Sequence, residues 1–254
     1  SRISRRWNRL MKAIIQREYF IFKHNIISYL CAWTLIPMIV YLLISIPFSF
    51  YVKLSNGISY LNWSSVGNWI STSIIVTFII SMNIANRYRK SLHYSRSMLC
   101  APSSNIEHLS AIIIWSSGMG LIQLFFSLLI TLSLKSANLF ALDILLAIIY
   151  IIPIIILASN IGFLIGLTCK RQLMRIIISV IFLMFIFFSC GLFVPLHENL
   201  PSIFTLSPLY LSVQNIQAIM TNDSSMISSS FILLFIAVII FFINLIVTSK
   251  VFKP

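Results

Sequence analysis

The feature that most constrains this chain is the recurrence of apolar runs about 20 residues long. A run of that length is what an α-helix needs to cross the hydrocarbon core of a bilayer. The runs are continuous, as in IIYIIPIIILASNIGFLIGL at residues 148–167, whereas membrane β-strands alternate apolar and polar residues. Charged residues make up only 9% of the chain, too few to cover a soluble domain of this size. The sequence therefore predicts an all-α integral membrane protein.

The apolar runs divide the chain into six predicted transmembrane helices. Their predicted bounds are Ile26–Phe50, Gly67–Asn86, Leu109–Leu134, Leu139–Thr168, Leu173–Val194 and Ser228–Ser249. Residues 1–25 precede this six-helix domain, which spans residues 26–254. The first apolar run is long enough to span the membrane, so a cleaved signal peptide is not expected.

Lys and Arg are distributed unequally over the segments between the predicted spans. A cytoplasmic N-terminus puts 16 of the 18 on the cytoplasmic side: seven before the first span, four after the second, three after the fourth and two at the C-terminus. Cytoplasmic segments carry an excess of Lys and Arg. Both termini are therefore predicted to be cytoplasmic, in a multi-pass protein of the cell (inner or plasma) membrane. The net charge of +13 then reflects contact with anionic membrane lipids, and no nucleic-acid partner is expected.

The N-terminal segment 1–25 has the pattern of an amphipathic helix. Apolar side chains recur on one face, and Arg and Gln fall mostly on the other. The apolar set is Ile3, Trp7, Leu10, Met11, Ile14 and Ile15. Such a helix is suited to the membrane interface. Two interpretations stay open, a plain membrane anchor and a helix that also contacts a cytoplasmic partner.

The longest predicted cytoplasmic connection, residues 87–108, contains apolar residues that a soluble loop does not need. Tyr94, Met98 and Leu99 lie close together ahead of Pro102. Ser104 and Glu107 form a capping box for the helix that follows. The cluster predicts a short helix that presents an apolar knob, with Arg96, to a partner. The alternative is a tight linker that rests on the lipid surface.

An external segment, residues 195–227, separates the fifth and sixth predicted spans. It is preceded by Gly191 and contains Pro195, His197, Glu198, Pro201 and Pro208. Apolar residues then recur at helical spacing: Leu206, Leu209, Tyr210, Val213, Ile216 and Met220. A short helix at the outer surface and a re-entrant hairpin with the end of the fifth span both fit this pattern.

Polar residues inside the predicted spans are few. Asn83, Gln123 and Asn160 are candidates to line a path, and Asn244 is a fourth intramembrane amide. Interhelical hydrogen bonding is the competing interpretation for each of them. The near absence of intramembrane charge argues against an ion-coupled transporter and against a channel with a charged filter.

No pattern in the chain predicts catalysis, a metal site or a nucleotide site. The four His never fall in an HExxH spacing, and the four Cys are scattered without a CxxC pair. The GxxxxGK[ST] loop that cradles ATP phosphates is absent. We therefore predict that this chain is not an enzyme, and that it holds no cofactor and no metal.

Over nearly its whole length the chain resembles a known family, the membrane subunits of ABC-2 type ABC exporters, which include polysaccharide, teichoic-acid and drug export permeases. As in that family, an N-terminal interfacial helix leads through REYFIFKHNIISYLCAWTLIPMIVYLLI into the first span. The stretch GLFVPLHENLPSIFTLSPLYLSVQNIQAI is similar to the family's GLFFPLENLP…LNPLTYLVEALR segment. The loop SMLCAPSSNIEHLSA resembles the family's LEQLLVTPVSRLEILLGK type of sequence. This chain departs from the pattern at Arg96, where the family has an acidic residue, and at Ser207, where the family has Asn.

The resemblance implies a function and an assembly. A subunit of this kind moves a lipid-linked, glycan or amphipathic substrate outward. It pairs with a second copy of itself, or with a homologous permease, and with two cytoplasmic ATPase subunits that hold ATP and Mg²⁺. The knob residues would then be a coupling helix that docks on the ATPase, and the external segment would close the outer end of the path. An accessory or immunity-type transporter subunit and a non-transport membrane scaffold are the alternatives.

Overall fold

The computed structural model describes residues 2–52, 59–90, 105–134, 141–194, 207–221 and 228–251. Within these residues every regular element is helical. In chain order the helices are α1 (Arg2–His24), α2 (Ile26–Val40), a π-helical segment (Tyr41–Ser45), α3 (Ile46–Ser49), α4 (Tyr60–Lys90), α5 (Asn105–Ser133), α6 (Ala141–Thr168), α7 (Gln172–Ser189), α8 (Pro208–Thr221) and α9 (Ser228–Val251). The prediction of an all-helical membrane protein is confirmed.

Five helical stretches are long and apolar enough to cross a membrane. They are Ile26–Ser49, Tyr60–Arg89, Asn105–Ser133, Ile144–Thr168 and Ser230–Lys250. Each coincides with a predicted span. The remaining predicted span, Leu173–Val194, is the shorter apolar helix α7, whose 18 residues extend for about 27 Å.

Two helix ends differ from the predicted span boundaries, and both differences have a physical reason. The second span begins seven residues before the predicted Gly67, at Tyr60. The prediction stopped short because the added residues include the polar residues Ser64 and Ser65, which are fully buried in the helix bundle, and the half-buried Asn62. Helix α7, which corresponds to the fifth predicted span, ends at Ser189 and not at Val194, because Gly191 adopts a φ of 65° that no α-helix contains.

Helix α4 forms the centre of the bundle. It packs most extensively against α6 and then against α5. The approach to α6 is close because Gly162 and Gly166 are four residues apart and face α4. A Cβ atom built on them would meet the carbonyl oxygens of Phe78 at 2.6 Å and Met82 at 2.5 Å. Small residues at this spacing allow two membrane helices to bring their backbones together.

The main core lies between α4, α6, α8 and α9. It contains Trp69, Ile70, Ile154 and Ile155 among its fully buried side chains. Helix α7 lies at the edge of this core and packs mainly against α6. The bundle therefore leaves apolar faces uncovered on α2, α3, α7 and α9, with exposed residues such as Leu43, Ile181 and Phe235.

The first span contains two prolines, and the structure compensates each of them. Pro37 lies inside α2 and cannot donate to the carbonyl of Trp33. The side-chain amide of Gln123 in α5 donates to that carbonyl at 3.2 Å. Pro47 is preceded by the π-helical segment Tyr41–Ser45, which absorbs the disturbance in the backbone. Neighbouring helices and local π geometry thus satisfy the groups that proline frees.

Candidate functional site

The two ends of the helix bundle differ in chemistry. One end, called here the basic end, carries Arg17, Arg87, Arg89, Arg175 and Lys250. Side-chain contacts bring the end of α4 together with α1, the start of α5 and the end of α6. The opposite end contains the start of α4, the turn 190–194 after α7, and α8.

A buried carboxylate joins α1 to α4 at the basic end. Glu18 is 3% exposed, and its two oxygens accept hydrogen bonds from different guanidinium groups. Oε1 accepts from Arg17 Nη2 at 2.6 Å, and Oε2 accepts from Arg87 Nη2 at 2.6 Å. Arg17 also donates to the hydroxyl of Tyr88 at 2.6 Å, and its guanidinium carbon lies 4.9 Å from the centre of that ring. We call Arg17, Glu18, Arg87 and Tyr88 the Glu18 network.

The interactions within the Glu18 network favour the charged form of Arg17. Burial disfavours the charged form of Arg17, but the interactions with Tyr88 and Glu18 outweigh burial and raise the pKa of Arg17. Both guanidinium groups are partly exposed, with 32% and 38% of their side chains accessible. Arg17 and Arg87 can therefore keep contact with water while they neutralise the buried carboxylate.

The Glu18 network also reaches the start of α5. The ring of Tyr88 meets the ring of His108 edge to face, with 6.3 Å between centroids. The hydroxyl of Ser110 contacts the sulfur of Met11 at 3.5 Å. Helices α1, α4 and α5 therefore meet at one point. This point lies next to the end of α4 and the start of α5, which flank residues 91–104 in the sequence.

In the sequence, five of the six predicted coupling residues fall between α4 and α5, and the sixth falls in the first turn of α5. Tyr94, Arg96, Met98, Leu99 and Pro102 fall outside the described residues, so their role stays a prediction. Helix α5 begins at Asn105, directly after the Ser104 that was predicted to cap it. Glu107, the sixth coupling candidate, is buried in the first turn of α5.

At the opposite end, a turn after α7 is held by the helices around it. Gly191 is buried and has a positive φ, and its carbonyl accepts from the side-chain amide of Gln217 at 3.4 Å. The hydroxyl of Tyr60 donates to the carbonyl of Phe193 at 2.6 Å. The turn also packs so closely on α4 at Gly67 that a side chain there would collide with the carbonyl of Leu192.

Helix α8 confirms the helical spacing predicted from the sequence. Its first residue is Pro208, and the hydroxyl of Ser207 caps it by accepting from the backbone N–H of Tyr210 at 3.2 Å. Tyr210, Val213 and Ile216 are buried against α6, α9 and α4. Pro195, His197, Glu198 and Pro201 of the predicted external gate lie outside the described residues.

The intramembrane amides form hydrogen bonds between helices. Asn244 of α9 donates to the carbonyl of Asn160 in α6 at 3.0 Å, and Gln123 is fully buried against the carbonyl of Trp33. Asn68, which the sequence analysis overlooked, donates to the carbonyl of Pro37 at 3.2 Å. Asn244 also donates to Oδ1 of Asn160 at 3.3 Å, so the side chains of Gln123, Asn160 and Asn244 all take part in hydrogen bonds between helices. Whether Asn83, Gln123 or Asn160 lines a path stays a prediction. Asn83 differs because it is exposed.

An apolar cavity of about 290 Å³ lies between α4, α6, α7, α8 and α9. Its lining includes Ile74, Leu157, Phe182, Ile186, Leu209 and Leu233. The cavity sits under the turn at Cys190 and beside the first turn of α8. Its walls suit a hydrocarbon chain and offer almost no hydrogen-bonding groups.

A family described as ABC-2 family transporter protein matches residues 65–246, which is more than two thirds of the chain. This chain belongs to the ABC-2 family of transporters. No curated protein matches it, and no solved structure does. The chain is accordingly a multi-pass membrane subunit of an ABC transporter, as the resemblance predicted.

The ABC-2 match runs from the first third of α4 to the last turns of α9, so Arg87, Tyr88 and His108 lie inside it. Arg17 and Glu18 lie outside the matched range. The Glu18 network therefore ties helix α1, which lies outside the matched range, to the matched membrane domain. Glu18 was not among the predicted site residues, although it is the one acidic residue in a helix rich in Arg and Lys.

Proposed function

We propose that this ABC-2 subunit exports a lipid-linked, glycan or amphipathic substrate, and that a separate ATPase supplies the energy. The observation that carries the proposal is that the Glu18 network joins α1 to α4 and contacts α5 through His108, beside the two ends of the predicted coupling loop. A force applied to residues 91–104 would reach three helices at once through these contacts. This is the arrangement that a subunit without its own nucleotide site needs.

The shape of the protomer supports a path along one face. Helix α4 contacts α2 through Asn68 and α7 through Met82. Ile79 and Asn83, which are four residues apart, are exposed on the same side of α4. This exposed strip of α4 is the part of the path that each protomer is proposed to contribute. The apolar cavity under the turn 190–194 offers space for the hydrocarbon part of a substrate.

The uncovered helices support assembly with a second permease subunit. Leu43 before α3 and Ile181 in α7 are exposed although both are large and apolar. We propose that α2–α3 and α7 form the seam with a second copy of the chain or a homologous permease. The strips on the two α4 helices would then face each other across the seam.

The proposed membrane orientation puts the basic end in the cytoplasm, since Lys and Arg favour that side. Helix α7 would be the fifth of six spans, with the turn 190–194 completing its length. The turn, α8 and the segment between them would close the outer end of the path. Lipids and the cytoplasmic ATPase subunits, which carry ATP and Mg²⁺, are the proposed partners.

The test of the proposed function is to remove the apolar knob of the coupling loop. Met98→Ser with Leu99→Ser should leave the protein inserted in the membrane but weaken docking of the ATPase by about 10²-fold or more. The reason is that burying each large apolar side chain contributes roughly 1.5–3 kcal/mol, and about 1.4 kcal/mol is a factor of ten. The measurements are co-purification of the ATPase and substrate-stimulated ATP hydrolysis.

The matched control for this test is Ser97→Ala, which changes the same loop without removing apolar surface. It should behave like the unmodified protein in both measurements. Wild-type ATPase binding and wild-type stimulated hydrolysis in the double variant would show that the loop is only a linker. The coupling assignment would then be abandoned.

A further inference from the structure

A second group of positive charges lies at the basic end, away from the Glu18 network. Arg89 belongs to the last turn of α4, Lys170 and Arg171 connect α6 to α7, and Arg175 lies in the first turn of α7. We call these residues the α7 cation cluster. They lie where three helices, α4, α6 and α7, meet.

Arg89 is fixed in place by backbone groups. Its Nη2 atom donates to the carbonyl of Lys170 at 3.0 Å and to Oδ1 of Asn86 at 3.3 Å. Its Nη1 atom lies 3.5 Å from the carbonyl of Leu167. The last carbonyls of α6 have no helical donor of their own, so they hold the guanidinium at the end of that helix.

Arg175 is buried without a full set of partners. The residue is 7% exposed, and within the described part of the chain its Nη1 atom has no hydrogen-bond acceptor. Ser179, one turn further along α7, contacts the sulfur of Met82 at 3.2 Å. Since α7 runs towards the opposite end, Arg175 lies one turn closer to the basic end than Met82, at the level of Asn86 and Arg89. The positive charges of Arg89 and Arg175 are close enough to repel each other.

In the part of the chain that the structure describes, no acidic side chain pairs with the arginines of the α7 cation cluster. Among the described residues the salt bridges are those of Glu18 with Arg17 and Arg87, and none reaches Arg89 or Arg175. The cluster also surrounds the start of α7, whose N-cap residue Arg171 makes no side-chain capping bond. A helix N-terminus carries partial positive charge and favours an anion, so added cations there are unfavourable unless an anion binds.

We propose that Arg89, Arg175 and the first turn of α7 bind a phosphate group, supplied by the headgroup of an anionic membrane lipid. Guanidinium groups pair with phosphate in a forked geometry, and basic pockets between membrane helices are typical sites for lipid headgroups. The bound phosphate bridges α4 and α7. It thereby fixes α7, which otherwise packs mainly on α6. This inference does not depend on the direction or the substrate of transport.

The experiment is native mass spectrometry of the full chain released from detergent, with phosphatidylglycerol as the probe. Diacylglycerol, which lacks the phosphate, is the control lipid. We expect one phosphatidylglycerol to be retained at least tenfold more tightly than diacylglycerol. Arg175→Gln and Arg89→Gln should each weaken that binding roughly tenfold to hundredfold, since each removes charged hydrogen bonds to the phosphate.

Lys250→Gln is the matched control, because it removes one exposed positive charge from the same end of the bundle. It should change binding by less than about twofold. Arg175→Lys, which keeps the charge but loses the fork, should give an intermediate loss. Should Arg175→Gln fail to fold, Arg89→Gln and Arg175→Lys carry the test.

The source of the phosphate is distinguished by adding inorganic phosphate during the lipid titration. Displacement of the lipid by millimolar phosphate would support a site that reads the phosphate group alone. Retention of the lipid would support recognition of a complete lipid. Equal binding of phosphatidylglycerol and diacylglycerol, or unchanged binding in both Arg89→Gln and Arg175→Gln, would overturn the proposal.

Discussion

Glu18 is one of only five acidic residues in a chain with 18 Lys and Arg, and it is buried between two of them. A buried carboxylate is costly unless it is paired, and removing one partner of a buried pair costs more than the pair contributes. The Glu18 network therefore fixes the position of α1 on α4. Because Arg17 and Arg87 retain contact with water, their pairing with Glu18 leaves the two guanidinium groups hydrated while it favours one arrangement of these helices.

We predict that Glu18→Gln lowers the free energy of unfolding by about 1.5–3 kcal/mol, the usual contribution of hydrogen bonds to a charged group. The measurement is unfolding of the detergent-solubilised chain by sodium dodecyl sulfate. Lys23→Gln, which removes an exposed charge from the same helix, should stay within about 0.5 kcal/mol of the unmodified protein.

A double-mutant cycle with Arg87→Gln separates the pair from its surroundings. The Glu18→Gln/Arg87→Gln variant should lose less than the sum of the two single variants, with a coupling of about 0.5–3 kcal/mol. Strict additivity of the two losses would mean that the ion pair contributes nothing to the stability of the fold.

At the scale of helices, a helix end could be predicted where polar residues mark it in the sequence. Helix α5 begins at Asn105, as the capping pattern predicted, and the helical spacing of Tyr210, Val213 and Ile216 predicted α8. The start of α4 was missed because Ser64 and Ser65 are polar but buried, a fact that depends on neighbouring helices. Long-range contacts of this kind leave no local signal.

The candidate site was predictable only in part, for the same reason. The sequence predicted a functional loop after α4 but gave no role to Glu18. The two partners of Glu18, Arg17 and Arg87, are one residue and 69 residues away in the chain. Gly162 and Gly166 did carry a readable signal, a four-residue spacing in an apolar run, which marks close helix packing. Pro37 leaves the carbonyl of Trp33 without a backbone donor. A polar side chain in another span, such as Gln123, could therefore have been expected to donate to that carbonyl.

Helices α3 and α7 leave large apolar residues uncovered, and this leads to a prediction about assembly. Cysteines at Leu43 and Ile181, in a background without the four native Cys, should cross-link two copies of the chain in membranes. Phe235→Cys on α9 is the matched control, because Phe235 is as exposed as Ile181 but lies away from the proposed seam. The readout is the dimer band on a denaturing gel.

Efficient cross-linking through Phe235 with none through Leu43 or Ile181 would move the seam to α9. A cross-link to a different chain of similar mass would identify a heterodimer with a homologous permease. A monomer that binds its ATPase in lipid nanodiscs would contradict the proposed assembly altogether.

At the scale of the whole molecule, the concentration of Lys and Arg at one end of the bundle determines which way the bundle is expected to lie in the membrane. The contacts of Glu18 with Arg87 and of Arg89 with the end of α6 bring the basic residues of three segments, α1, α4 and the connection after α6, to one end. Anionic lipid on the cytoplasmic leaflet attracts such an end, at about 1 kcal/mol for each Lys or Arg near the surface. The Glu18 network and the α7 cation cluster then both lie at the level where an ATPase would dock.

This orientation predicts which loops an impermeant reagent can reach. In the background without the four native Cys, Ser55→Cys and Ser224→Cys should react with a membrane-impermeant maleimide on intact cells. Ser91→Cys should react only after the membrane is permeabilised, because it directly follows the basic end of α4. Each variant serves as a control for the others, since all three replace a serine by a cysteine in a segment between helices. Reaction of Ser91→Cys on intact cells, with Ser224→Cys protected until permeabilisation, would invert the molecule in the membrane. The Glu18 network would then lie outside, where no ATPase could act on it, and the proposed coupling route would fail together with the orientation.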